Sequence, residues 1–589
     1  MIETRTIEPA NRTWWILPDA AAPLLADGWP PDVAARLQPV KRGKGRMVSR
    51  FECGGKGYYV KAYAPEGLFD RLRSALGLGP GRREWDALLA ARDAGLDVPE
   101  PVALARGKAE TLVTAEVPGA ERLDEYLFER YFEPLPDDPP YPGARPPELV
   151  SIFRRRRAAL AEGTIGPREL AALLADLLAR LAEADLGLDD LHPGNLLLGG
   201  GPGAWRLHLV DLAEAARPAS DEALVRHLVE LEHFFEPIAS PAERLRCLRR
   251  VREILGRDLD PRMIVRATTA YRRAFYRQRD HRTRRESKYF GRMSVGGWHG
   301  WAAADWGTAL ESILAAAEEK DFSFRDVPGA VALKEGATSG VWRVAAGDRA
   351  VIVKQHNKAA GPRGLGGLGR ATRSVSAFRK GHALLVRGIA TARPAGAADL
   401  REGGLVSRTL LFTEPVDGER LSDWLRNDPP ARERRHVTWL LARMLRRMHD
   451  AGLAHRDLKA PNVLVAPVRG GRPVLVDLDG VRVGWHVSDS RRARDLMRLS
   501  VSLDEWGVAR QTDRLRFLRA YLGVRGAPSP ITIASRRSKR PPKPGRKALG
   551  PKRLRRWWRR IAELSRRKLN RLGRKNGNGV QSSKFKVQS

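Results

Sequence analysis

Apolar residues recur at Leu170, Leu173, Leu174, Leu177, Leu178 and Leu181, and again at Val437, Leu440, Leu441, Met444, Leu445 and Met448. Both sets fall at i, i+3, i+4, i+7, i+8 and i+11, the spacing of a helix with one buried face. Nine residues after the last member of each set stands an aspartate, Asp190 in one case and Asp457 in the other. Upstream, two short runs end in lysine: Tyr58-Tyr59-Val60-Lys61 after Gly54-Gly55-Lys56-Gly57, and Val351-Ile352-Val353-Lys354 after Gly336 to Gly340. Each predicts strand, small-residue turn, strand. A turn into proline then follows in both halves, Gly95-Leu96-Asp97-Val98-Pro99 and Gly388 to Pro394. Landmarks repeated in one order predict two copies of one unit.

The repeat divides the chain near residue 320, which predicts domains at 1–320 and 321–528 followed by a tail at 529–589. The Pro-rich segment 134–147 reads as a loop inserted in the first copy. It largely accounts for the longer interval from Lys61 to Asp190, 129 residues against 103 from Lys354 to Asp457.

The tail has its own pattern. Residues 536–551 are rich in Pro, Lys and Arg and read as an extended linker. From Lys552 to Lys575, Leu554, Trp557, Trp558, Ile561 and Leu564 fall at helical spacing among arginines and lysines. Such a basic amphipathic helix fits an anionic membrane surface. A solvated basic tail is the plainer reading. Nucleic acid is the weaker partner, because no base-stacking aromatics stand among basic residues elsewhere in the chain.

Composition narrows the classes. At 589 residues the chain exceeds what one core serves. Lys and Arg number 105 against 69 Asp and Glu, a net +36 that favours an anionic partner. Between Arg536 and Lys575 lie 19 Lys and Arg against one acid, Glu563, so half of that excess sits in the tail. Two cysteines exclude a disulfide scaffold and a four-cysteine zinc site. Residues 1–8 carry acids and no apolar run, so neither a secretion signal nor a membrane span is expected, and the cytoplasmic face is the predicted location.

The second half reads His455-Arg456-Asp457-Leu458-Lys459-Ala460-Pro461-Asn462, then Val474-Leu475-Val476-Asp477-Leu478-Asp479-Gly480. This resembles the catalytic loop and metal-binding segment of protein-kinase-like phosphotransferases. Their chemistry needs a carboxylate to orient the attacking hydroxyl, oxygen ligands for Mg²⁺ on the phosphates, and a cation at the transferring group. The resemblance implies Asp457 as base and Asn462 and Asp477 as Mg²⁺ ligands. It also implies Lys459 beside the γ-phosphate of ATP and Lys354 on the α- and β-phosphates.

The first half carries Asp189-Asp190-Leu191-His192-Pro193-Gly194-Asn195 and Leu209-Val210-Asp211, similar to the loop of aminoglycoside- and choline-type kinases. That implies Asp190 as base, Asn195 and Asp211 as metal ligands, and a Lys61–Glu84 ion pair. Leu188-Asp189 replaces the His-Arg pair there. In the second copy the residue 23 positions after Lys354 is Ala377, and no acid occurs from Ala371 to Ala398, so the usual acidic partner of Lys354 is missing.

Arg82-Arg83-Glu84-Trp85, Gly95 to Pro99, Ala383 to Ile389 and Arg393-Pro394, without a long activation segment, resemble the lipopolysaccharide kinase (Kdo/WaaP) family. The fold this implies is α+β, two tandem protein-kinase-like bilobal domains with a basic helical C-terminal tail. The activity implied is ATP- and Mg²⁺-dependent phosphorylation of a sugar hydroxyl on a membrane glycolipid, peripheral to the inner membrane. The basic loops Arg71 to Arg73 and Arg363 to Arg373 would suit an anionic substrate. The second copy is the candidate for catalysis. Two rivals remain: a serine/threonine protein kinase, which His455-Arg456-Asp457 and Lys459 favour, and a non-catalytic scaffold of two pseudokinases.

Overall fold

The computed structural model describes residues 3–5, 13–26, 37–43, 45–64, 67, 72–74, 78–106, 110–132, 157, 159–216, 222–236, 238–318, 324, 327–336, 339–357, 371–402, 405–467, 471–508, 510–523 and 550–576. The segment 134–147, Arg71, residues 363–370, the linker from 529 to 549 and the end from 577 lie outside these. The described chain forms two compact units that divide between Arg272 and Arg273. Among the described residues no helix is long and apolar enough to cross a membrane.

The first unit opens with strands β1 (Glu3–Arg5), β2 (Thr13–Ile16), β3 (Gln38–Gly43), β4 (Arg46–Cys53), β5 (Lys56–Tyr63), β6 (Pro101–Arg106) and β7 (Glu110–Ala115), with helices α1 (Pro18–Ala26) and α2 (Pro80–Asp93) between them. They make an open sheet in the order β1-β2-β6-β7-β5-β4-β3. Lys61 on β5 pairs with Val48 and Leu112, so it stands mid-sheet. Helices α3 (Leu123–Tyr131) and α4 (Pro167–Glu183) follow, with a small sheet of β8 (Glu121–Arg122), β9 (Leu196–Gly199) and β10 (Arg206–Leu209). The stripe Leu170, Leu174, Leu177, Leu178 and Leu181 on α4 is buried in the core, as its period predicts. Helices α5 (Ala223–Phe235), α6 (Pro241–Leu255) and α7 (Pro261–Arg282) complete the helical part, and α7 carries the chain into the second unit.

The second unit begins with β11 (Phe290–Val295), β12 (Trp298–Ala303), α8 (Gly307–Glu318), β13 (Ala330–Lys334), β14 (Ser339–Ala346), β15 (Arg349–Asn357), α9 (Arg373–Val386), β16 (Pro394–Glu402) and β17 (Leu405–Thr413). Its sheet runs β11-β12-β16-β17-β15-β14-β13, the strand order of the first. Lys354 pairs with Val341 and Leu411, again mid-sheet, flanked in sequence by fully buried Val351 and Val353. Beyond it come β18 (Glu419–Arg420), α10 (Leu421–Arg426), α11 (Ala431–Asp450), β19 (Leu453–His455), β20 (Val463–Ala466), β21 (Arg472–Leu475), β22 (Val481–Val483), α12 (Asp489–Glu505), α13 (Gln511–Leu522) and α14 (Gly550–Asn576). The architecture is mixed helix and open sheet, consistent with α+β.

Two expectations change. The boundary falls at 272/273, not 320/321, because β11 and β12 belong to the second sheet, where Trp298 to Ala302 pair with β16. Gly300 is required there, since a Cβ would lie 2.0 Å from the carbonyl oxygen of Ala397. The described part of the tail is likewise a component of the second unit and not a free segment. Trp557 is 5% exposed within the second core, and Leu554, Trp558, Ile561 and Leu564 pack against it. The apolar stripe that suggested a membrane anchor is covered by protein, which leaves the arginine-rich face outward.

Candidate active site

In the second unit the catalytic-type loop is held from beneath. His455 is fully buried, and burial lowers its pKa, so the ring is neutral. Its Nδ1 accepts from the Asp457 amide at 3.3 Å, which assigns the proton to Nε2, 2.7 Å from the Asp477 carbonyl oxygen. One imidazole thus ties the segment bearing Asp457 to the segment bearing Asp477. Gly480 makes room for it, since a Cβ there would come within 2.9 Å of the ring. From α12, Asp495 accepts the His455 amide at 2.9 Å and the Ser502 hydroxyl accepts the Ala460 amide at 3.0 Å.

On that base the predicted residues converge. Asn462 donates its amide to the Asp457 carbonyl oxygen at 2.8 Å, and Lys459 Nζ lies 2.9 Å from Asp457 Oδ1. Lys354 reaches both acids of the Asp-Leu-Asp segment, 3.1 Å to Asp477 and 2.9 Å to Asp479. Asp479 therefore takes the place of the missing acidic partner. Arg373 also donates to Asp479, at 2.7 Å, and His356 stands 3.7 Å away. Burial works to raise the Asp479 pKa, but Arg373 and Lys354 outweigh it and hold it below the usual carboxylate value. Burial likewise opposes the charge on Lys354, and Asp477 and Asp479 more than restore it.

The residues sequence reasoning missed are Asp479 as lysine partner and Asp495 and Ser502 as loop supports. Asp495 left a signal, because it sits inside the apolar stripe Ala493, Leu496 and Leu499, where an unpaired acid would be costly.

The first unit gathers its residues along a cavity of about 460 Å³ lined by Arg46, Tyr63, Asp190, Asn195 and Asp211. Lys61 pairs with the fully buried Glu84, which Tyr63 also contacts. Asn195 donates to the Asp190 carbonyl oxygen at 3.0 Å, matching Asn462. Support for the loop comes from α5 instead of a loop histidine: the His227 ring lies 2.9 Å from the Leu188 amide and Glu230 accepts the Leu191 amide at 2.9 Å. Burial pushes Glu230 up to about 7 and His227 down to about 4. Asp211 differs from Asp477 in two ways. It has φ of +69°, a conformation costing a non-glycine residue ~1–3 kcal/mol, and Arg46 bonds its Oδ1 at 2.6 Å.

The donor sets test the fit of Mg²⁺. Asn462 spends amide hydrogens on Asp457 and keeps its amide oxygen, and Asp477 presents a partly exposed carboxylate. Two hard oxygens suit Mg²⁺, which takes one or two protein carboxylates with water and nucleotide phosphates. In the first unit the fit is poorer, because a guanidinium already occupies the Asp211 oxygen.

The lipopolysaccharide kinase (Kdo/WaaP) family profile matches residues 367–521, spanning Asp457 to Asp479 but starting after Lys354. The chain is 34% identical over 179 residues to the 3-deoxy-D-manno-octulosonic acid kinase of Xanthomonas campestris, covering 29% of this chain and 68% of that protein. With the enzyme of that name from Xylella fastidiosa it shares 28% over 210 residues, 32% of this chain and 78% of the relative. With the lipopolysaccharide core heptose(I) kinase WaaP of Escherichia coli it shares 28% over 153 residues, 24% of this chain and 57% of the relative.

Proposed function

The chain belongs to the lipopolysaccharide kinase (Kdo/WaaP) family, a family of kinases, and from that premise we propose that its second unit transfers the γ-phosphoryl group of ATP to a sugar hydroxyl of a lipopolysaccharide-type glycolipid. The observation that carries the reading is the junction at His455, which joins the Asp457 and Asp477 segments while Lys354 bonds Asp477 and Asp479. A base, an amide–carboxylate oxygen pair and a lysine are thus held as one assembly.

In this reading Lys354 binds the α- and β-phosphates, released from its two aspartates as the nucleotide enters. Asp457 orients the acceptor hydroxyl and takes its proton, and Lys459 moves between Asp457 and the γ-phosphate oxygens. Asn462 and Asp477 would hold Mg²⁺, which supplies charge neutralisation on the phosphates. The neutral, buried His455 fixes the geometry without titrating near neutrality.

The first unit we read as a second copy of the same domain, on the strength of the shared strand order and the matched Lys61, Asp190, Asn195 and Asp211. Arg46 on Asp211 favours a partner role over catalysis for it. The exposed arginines of α14 would hold the protein peripherally at an acidic cytoplasmic membrane face.

The test is transfer of label from γ-labelled ATP, with Mg²⁺, to purified lipopolysaccharide or to protein serine and threonine. Label in the glycolipid supports the reading. Label in protein alone makes the chain a protein kinase, and none in either leaves a scaffold.

A further inference from the structure

Helix α14 lies outside the residues matched by the family profile, yet it reaches the reaction centre. It runs along α12 in the same direction: Arg560 bonds the Ser490 hydroxyl near the start of α12, and Lys568, eight residues or about 12 Å further on, interacts electrostatically with Glu505 and Arg498 in the second half of α12. That half of α12 is where Ser502 holds the Ala460 amide of the catalytic loop. Lys568 also senses the charges of Lys459 and Asp457. Burial first, then Arg498 and Lys459, lower its pKa against the pull of Glu505 and Asp457, the mark of an ammonium half withdrawn from water among other cations.

The neighbours extend the patch. Arg571 is exposed one turn beyond Lys568 on the same face of α14, and Arg494 is exposed one turn before Arg498 on α12. Arg498 lies 3.3 Å from Asp495, a carboxylate it shares with Arg491. The exposed cations therefore outnumber the acids, Glu505 and Asp457, that face them. No ATP phosphate is needed to explain them, since Lys354 and Lys459 serve that end of the site.

We propose that Lys568, Arg571, Arg498 and Arg494 form an oxyanion subsite beside Asp457 that binds a phosphate or carboxylate on the acceptor and so presents the neighbouring hydroxyl to the base. The inference rests on the phosphotransferase reading of the second unit. It assigns to α14 a substrate-selecting function: acceptors with an anionic substituent near the reacting hydroxyl are preferred over neutral ones.

Two measurements on the full chain test it. With the nucleotide site filled by a non-hydrolysable ATP analogue and Mg²⁺, the rate of amine acylation at Lys568 is followed by mass spectrometry as inorganic phosphate is added at constant ionic strength. Exposed Lys552, at the far end of α14, is the control. Saturable protection of Lys568 alone is expected. Equal or no protection would overturn the subsite, as would protection by phosphatidylglycerol vesicles but not by phosphate, which would make the patch a lipid-surface contact. In turnover with lipopolysaccharide in neutral detergent micelles, Lys568→Gln should raise the acceptor KM about ten-fold while the ATP KM holds, and Lys568→Arg should restore it. An unchanged acceptor KM in an active enzyme overturns the inference alone. No turnover by the wild type removes the functional reading, and the acylation result still decides whether the anion subsite exists.

Discussion

Replacing Asp479 by Asn isolates the feature that distinguishes the second unit from the first. Asp479 stands 2.9 Å from Lys354 and 2.7 Å from Arg373, and Asp477 stands 3.1 Å from the same lysine. At an effective dielectric constant of about 20, the Lys354–Asp479 attraction is about 6 kcal/mol before desolvation, and the net worth of a charge-assisted bond is about 1.5–3 kcal/mol. Asparagine keeps the shape and the hydrogen-bonding oxygen but removes the charge, so the expected loss in positioning Lys354 is about 2 kcal/mol, or roughly 30-fold. The assay is ATP turnover over a range of ATP concentrations, with circular dichroism to verify folding. The value of kcat/KM for ATP should fall about 30-fold, with most of the loss in nucleotide binding. A variant within two-fold of wild type would refute the reasoning, because Lys354 would then need no Asp479 to be placed.

Glu230 has a folded-state pKa of about 7, above its unfolded value, so its stabilising contribution is complete below about pH 4.5 and is lost as pH rises towards 7. Glu230→Gln should therefore flatten that loss, with a Tm gain over wild type at pH 8 and none at pH 4, read by calorimetry; a pH-independent difference would contradict it. A fragment of residues 273–589 should unfold cooperatively in urea, whereas 321–589, which lacks β11 and β12, should not; equal behaviour would move the boundary back. Trp557→Ala should destabilise the second unit by about 3–5 kcal/mol, and wild-type tryptophan fluorescence should not shift blue with phosphatidylglycerol vesicles. An indifferent variant would return that stripe to a surface role.

What the sequence made legible was local. The eight residues from His455 to Asn462 and the Asp477 segment announce their chemistry because each part lies within one loop, and the structure joins them through His455. The stripes on α4 and α11 were readable from period alone. The partner of Lys354 was not, because the search along the chain looked 23 residues downstream, where fully buried Ala377 stands, while the acid that answers lies 125 residues away and was assigned no role. The strands β11 and β12 were missed because two short strands show their membership only in their pairing with β16. The docking of α14 was hidden for a different reason: an amphipathic period states that an apolar stripe must be covered, not whether lipid or protein covers it.

The most direct test of the account is single-turnover transfer of labelled phosphate from ATP to lipopolysaccharide by the wild type, Asp457→Asn and Asp190→Asn, with nucleotide binding measured in each. If the second unit is the phosphotransferase, Asp457→Asn should retain ATP and lose transfer by ~10²–10⁴-fold, while Asp190→Asn should transfer as the wild type does. Transfer that survives Asp457→Asn, or that only Asp190→Asn abolishes, would contradict it.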